Sequence, residues 1–285
     1  LKTTQGLLST VGVAPLAPDL DTVGIVARSA LDLEIVLREM LGQGTECIQE
    51  QGVALSEPHE FNQIHCWLPS QIMDGVVAQE MLECTKNLPS ITINEHFPDE
   101  SSISAYSELM LYQQVAQTHQ ALVQKGFESQ LDPLSPSSAV LRSIPKGLIE
   151  MVQLGLMEPL SWAKEALSQR TLWRKRFEAH FLKFHDLLIM PSIGIEIPLA
   201  SQVRVGDAQF DARKLLSLHR FMGFVNYLGL PSLSLPIGKD SRGMPISIQL
   251  VCRPYQELSL LRWAQRFIGS RFGTQNVRHS YPFFV

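Results

Sequence analysis

The sequence predicts a layered, mixed α/β fold, and three observations carry that expectation. Residues 64–69 and 90–97 read as short strands flanking a helical stretch at about 76–87, an order that predicts parallel pairing. Residues 187–190 form a continuous apolar run stopped by Pro191, which suits a strand buried on both faces. Capped helical segments flank these strands toward both ends of the chain.

Taken in order, the first helix is expected over 29–42. Ser29 can cap it, Asp32 follows three residues on, and Gly42 closes a segment with apolar Leu31, Ile35, Leu37 and Leu41. After the strand–helix–strand unit, residues 106–126 read as one long helix ending at Gly126. A Pro/Ser-rich break at 131–138 separates it from a helix reaching about Gly155. Another helix is expected from Ser161 to about His185, running into the 187–190 strand. A polar, hairpin-like stretch at 202–211 then leads to a single helix at 212–227. Strands at 230–238 and 245–254 follow, and a last helix from Glu257 stops at Gly269. No repeat, low-complexity tract or clear linker divides the chain.

Composition narrows the function classes. With 45% hydrophobic and 18% charged residues among 285, the chain is globular. A net charge of −4 argues against a phosphate-binding surface, so no nucleic-acid partner is expected. The run Arg174, Lys175, Arg176 spreads around a helix and reads as a solvated face. Cys47, Cys66, Cys84 and Cys252 form no C-x-x-C pair, which predicts reduced thiols and a cytoplasmic setting. No apolar stretch approaches membrane-span length, so no membrane partner is expected. The chain opens at Leu1, without an initiator Met, inside a turn-rich segment. The expectation is therefore a processed protein or the later part of a longer one, and a targeting signal before Leu1 stays open.

The residues alone assemble no active site. His180 and His185 lie five apart and do not share a helix face, and His65 and Cys66 point to opposite sides of a strand. His59, His96, His119, His219 and His279 have no motif around them, so no metal site is expected. There is no G-x-S-x-G elbow, no G-x-G-x-x-G and no Walker loop. Ser232 and Ser234 alternate with Leu233 and Leu235, placing both hydroxyls on one face of a strand. Close helix packing explains such small residues better than nucleophilic chemistry.

Three ordered motifs nevertheless resemble the amidase signature family of serine amide hydrolases. The first comprises Leu1-Lys2-Thr3-Thr4, Gly6, Ser9, Pro15-Leu16, Leu20-Asp21-Thr22-Val23-Gly24 and Ala27-Arg28. The second is the strand at 185–192, His-Asp-Leu-Leu-Ile-Met-Pro-Ser. The third runs through Asn226, Gly229, Leu230, Pro231, Pro236 and Gly238 into the closing strand and helix at 243–264. Departures from the family pattern fall at Thr3 and Ile25, where Pro is usual, at Leu7 or Leu8 for Arg, and at Ser247 for Gly.

The resemblance implies a mixed, largely parallel twisted sheet covered by helices on both faces, with the N-terminal portion missing. Residues 1–285 would be the C-terminal part of a single such domain. It also implies that the family's Ser, cis-Ser and Lys, with the oxyanion amides of a Gly-rich loop, all precede Leu1. This chain would then hold no catalytic residue, and the parent would hydrolyse the carbon–nitrogen bond of a small-molecule amide without metal or organic cofactor. Asp21, Thr4, Ser9 and Asn226 are the expected substrate-binding or supporting residues, with Asp21 equally readable as a turn cap. Lys2 would support at most and reach solvent, Arg28 would form an ion pair, and Asn226 and Gln249 would satisfy buried backbone groups. A substrate funnel is expected around 111–155. The expected partners are the substrate and the missing N-terminal part, with homo-oligomers allowed. A non-catalytic amidase-like scaffold and the glutaminase-like subunit of a tRNA-dependent amidotransferase remain open alternatives.

Overall fold

The computed structural model describes residues 1–43, 55, 57–96, 100–130, 146–157 and 159–272. Its five-stranded sheet is built from β1 (Ile64–Trp67), β2 (Ile91–Asn94), β3 (Leu187–Pro191), β4 (Ser232–Lys239) and β5 (Pro245–Val251). The spatial order is β2-β1-β3-β5-β4. β1 pairs in parallel with β2 and β3, Ile64 opposing Ile91 on one side and Leu187 on the other. β5 runs antiparallel to both β3 and β4, so the sheet changes pairing direction at β3. Parallel pairing, expected to dominate, thus covers only the β2-β1-β3 half.

Alternation along the strands distributes their side chains between two cores, as the two-residue period requires. Leu187, Ile189, Leu233, Leu235, Ile248 and Leu250 enter one core. There they meet α1 (Ala30–Gln43), α2 (Gly75–Thr85) and α9 (Glu257–Phe272) through Leu37, Met81 and Leu261. Leu188, Met190, Trp67 and Val251 enter the other. It is closed by α3 (Glu100–Gln130), α4 (Lys146–Met157), α5 (Leu160–Phe177) and α8 (Gly223–Leu228), through Met110, Val152, Phe177 and Phe224. Helices therefore cover both faces, and every residue of β3 is buried.

Local expectations hold or fail for identifiable reasons. Ser29 caps α1, its Oγ accepting from the Asp32 amide at 3.1 Å, but Leu31 and Ile35 face outward while Leu33 and Leu37 are buried. The helix expected to reach His185 widens instead into a π turn, Glu178–Leu182, before β3. No strand pairing forms at 202–211. A short helix α6 (Ala200–Val203) and successive turns bring Asp211 N to Gln202 O at 2.8 Å. The single helix expected at 212–227 is two, α7 (Ala212–His219) and α8. The break lets Phe221 bury its ring edge-on against Trp67, with centroids 5.3 Å apart. α9 runs past Gly269 to Phe272. The break expected at 131–138, Cys47 and His279 lie outside the described residues.

Candidate functional site

Two polar regions flank β4. At its start, residues 1–5 lie between the 24–25 backbone and the strand edge. Lys2 and Ser232 exchange amide hydrogen bonds of 2.8 and 2.9 Å, and Ile25 N donates to Leu1 O at 2.8 Å. A Pro at position 25 would lack that donor. Thr4 N donates to Glu257 Oε1 at 2.6 Å, and Tyr255 N donates to Thr4 Oγ1 at 2.8 Å. The second bond steadies Tyr255 in the left-handed region at φ 67°, a conformation unfavourable for a residue with a Cβ.

Beneath this segment Glu257 is fully buried, and its Oε2 has no hydrogen-bond partner among the described residues. Burial pushes the Glu257 carboxyl up, opposed by its bonds with Thr4 and by the Lys2 charge. Burial brings the Lys2 amine down to about 8, with Glu257 opposing and Arg170 adding to the shift. Lys2 does not reach freely into solvent as expected. Its Nζ donates to Leu230 O at 2.8 Å and Thr3 O at 3.1 Å.

Of the four residues expected at a site, only Thr4 belongs to this network. Asp21 caps a turn, its carboxylate accepting from Leu16 N at 2.9 Å and Ala17 N at 3.2 Å. Ser9 is exposed and its Oγ accepts from Val11 N at 3.2 Å. Asn226 lies on the exposed side of α8, while Gln249 is buried on β5. Arg28 is exposed and forms no ion pair among the described residues. The departures at Leu7 and Ile25 are buried apolar residues, and Thr3 Oγ1 donates to Val23 O at 3.0 Å.

Farther along β4 a cleft of about 240 Å³ opens beyond the end of β3. Residues 111–130 and 146–155, where a funnel was expected, do not line it; α3 and α4 meet so closely that a Cβ at Gly155 would stand 2.0 Å from Tyr112 O. Ser192, Ser234 and Ser247 line the cleft from the sheet side. Ser192 N donates to Ser247 O at 3.0 Å, and the Ser192 and Ser234 hydroxyls are 3.0 Å apart. Ile193, Ile195 and Met222 form apolar walls, with Glu196 and Asp240 also lining it. The 192–197 loop is fixed from both sides. Glu196 N donates to Asp74 Oδ2 at 2.7 Å, and Arg242 donates to Ile197 O at 2.7 Å and to Asp240 Oδ2 at 2.8 Å.

Among the described residues, neither cleft hydroxyl has an amine or imidazole within hydrogen-bond reach to activate it. His65 and His185 sit elsewhere, on the α3–α5 face, their ring centroids 4.8 Å apart beside Phe181.

A family model described as Amidase matches residues 1–261. The chain belongs to the amidase family. A glutamyl-tRNA(Gln) amidotransferase subunit from Alkaliphilus metalliredigens is 25% identical over 93% of this chain and 57% of its own length. A fatty acid amide hydrolase of Medicago truncatula is 32% identical over 94 residues, covering 32% of this chain and 16% of that protein. In three dimensions, the crystal structure of an amidase superposes with a TM-score of 0.72 at 17% identity, covering 95% of this chain and 57% of that one. The amidase-family chain described here thus spans little more than half the length of the Alkaliphilus protein. No helix among the described residues is long and apolar enough to cross a membrane.

Sequence reasoning did not single out Glu257, or the cleft's Ser192, Glu196 and Met222. Ser234, expected to pack closely against a helix but exposed in the cleft, and the Ser247-for-Gly departure were the signals pointing there, because each places a hydroxyl along the wall.

Proposed function

We propose that this chain forms the C-terminal part of a single amidase-type domain that hydrolyses carboxamide carbon–nitrogen bonds. The attacking Ser, its proton relay and the oxyanion amides come from residues preceding Leu1 in the parent protein. The carrying observation is the amidase match over 1–261, combined with a cleft whose hydroxyls lack any activating base among the described residues. In this reading the upstream Ser forms an acyl-enzyme that water then hydrolyses. Preorganised backbone amides stabilise the oxyanion, each contributing about 2.7–4 kcal/mol. This chain contributes the sheet, the 192–197 loop and one wall of the substrate site. Thr4 and Asp21 act by holding the segment and turn that carry the upstream residues, and the reaction uses no metal or organic cofactor.

The test is to express the 285-residue chain alone and at its natural length, and to assay ammonia release from simple amides. Activity only at natural length, lost on replacing the upstream Ser, supports the proposal. Activity of the chain alone would overturn it.

A second reading, the glutaminase-like subunit of a tRNA-dependent amidotransferase, is favoured by the alignment with the Alkaliphilus protein over 93% of the chain. Co-purification of partner subunits, with glutamine-dependent amide transfer, would select it.

A further inference from the structure

The cleft beside β3 has a definite polarity. Each serine hydroxyl offers one donor and two acceptor positions. The Ser192–Ser234 bond uses one of each, leaving the pair able both to donate and to accept. A head group with only acceptors would leave the remaining serine lone pairs unanswered, whereas a hydroxyl or carboxamide would meet both demands. Charge adds a second constraint. Arg242 bonds Asp240 through Nε at 3.2 Å and Nη2 at 2.8 Å, donates to Ile197 O, and also feels the Glu196 charge. One cation thus faces two carboxylates, and a net negative charge is left beside the space that Glu196 and Asp240 line. Size sets a third limit. A cavity of ~150 Å³ holds benzene, so 240 Å³ admits roughly ten non-hydrogen atoms.

We propose that this cleft binds a small ligand with an apolar body and a neutral head group that both donates and accepts hydrogen bonds, and that Glu196 excludes carboxylate-bearing analogues. The apolar body lies against Ile193, Ile195, Met222 and Ile246, and the head group meets Ser192 and Ser234. Identifying that ligand as part of the substrate rests on the proposed hydrolase function, but the binding itself does not. As a specificity device, Glu196 selects by repulsion as much as the serines select by attraction.

The experiment measures affinities of hexanamide, hexanoate and hexylammonium by calorimetry, on the protein at its natural length. Hexanamide is expected to bind at least about tenfold more tightly than hexanoate, since like charges at short range inside a cleft repel strongly. Hexylammonium, attracted by Glu196 but unable to accept a hydrogen bond, should fall between them. Glu196→Gln should narrow the amide-to-carboxylate gap to about threefold while leaving hexanamide unchanged. Met222→Trp, at the partly exposed cleft margin, should abolish binding of all three by filling the space. Equal binding of hexanoate, an unchanged gap in Glu196→Gln, full affinity in Met222→Trp, or no binding at all would each overturn the inference. Binding without turnover would uphold the cleft and count against the hydrolase. Turnover untouched by Met222→Trp would do the reverse.

Discussion

Two neighbouring positions on β4, Ser232 and Ser234, differ in how their polar groups are used. At Ser232 the strand edge is paired with Lys2, and the Thr4 amide beside it is answered by the buried Glu257. At Ser234 the hydroxyl meets only its neighbour Ser192 and faces open space. Both positions are serine, and both lie on the same side of the strand. What separates them is exposure: Ser232 is buried, whereas Ser234 is open to the cleft. A polar group closed off inside the protein serves the fold, whereas one facing open space is available to a ligand.

Glu257→Ala should give the largest effect, because it leaves the Thr4 amide and the half-buried Lys2 ammonium without their carboxylate. A loss of about 3 kcal/mol is expected on removing one member of a buried charged network, read as a lower denaturant midpoint. Glu257→Gln should recover part of it, and no loss in either variant would remove the distinction between the two positions. Next comes Gly229, whose φ of 70° closes α8 and whose carbonyl accepts Gln5 N at 3.1 Å. Gly229→Ala should cost about 1–2 kcal/mol, as a Cβ in left-handed backbone does. An unchanged melting temperature would mean that residues 1–5 do not depend on that turn.

Acid should act away from both ends of β4. His65 is buried with neither ring nitrogen bonded among the described residues, and burial, reinforced by the His185 charge, lowers it to about 4. The unfolded chain takes up this proton first, near pH ~6.5. The stability His65 contributes is therefore complete above that value and lost as pH falls from it toward about 4. His65→Phe should flatten melting temperature against pH across this window, and superimposable profiles would assign the acid limb to other groups. The smallest effect belongs to Ser234→Ala, within about 1 kcal/mol of the parent in stability, since it removes one partly solvated hydroxyl bond. A larger loss would place Ser234 with the groups that hold the fold.

Much of the fold was legible because strands and helices announce themselves through burial patterns. The run 187–190 read as buried on both faces, and its alternate residues do enter opposite cores. That Ser232 and Ser234 share one face of β4 followed from the same two-residue period. Less legible were features set by distant contacts. Nothing local in 212–227 shows that Phe221 will break a helix to reach Trp67. Nor does the sequence near Glu257 show that its carboxylate is reserved for an amide at the other end of the chain. Asp21 was visible as a motif residue, yet its bonds go to the adjacent Leu16 and Ala17, the local alternative. The cleft was missed because its walls come from four separate stretches, each unremarkable alone.

The bond from Thr4 to Glu257 also sets a timetable. Its partners are separated by 253 positions along the chain, and the Lys2–Leu230 bond by 228. At ~5–20 residues per second of synthesis, Thr4 leaves the ribosome's active centre roughly 10–50 s before its carboxylate is made. Through most of that interval residues 1–5 have no β4 edge to pair with, and the closure carries the entropy of the longest hydrogen-bonded loops among the described residues. Docking of residues 1–5 therefore belongs among the last events of folding, and slow synthesis prolongs the period in which that segment can find a wrong partner.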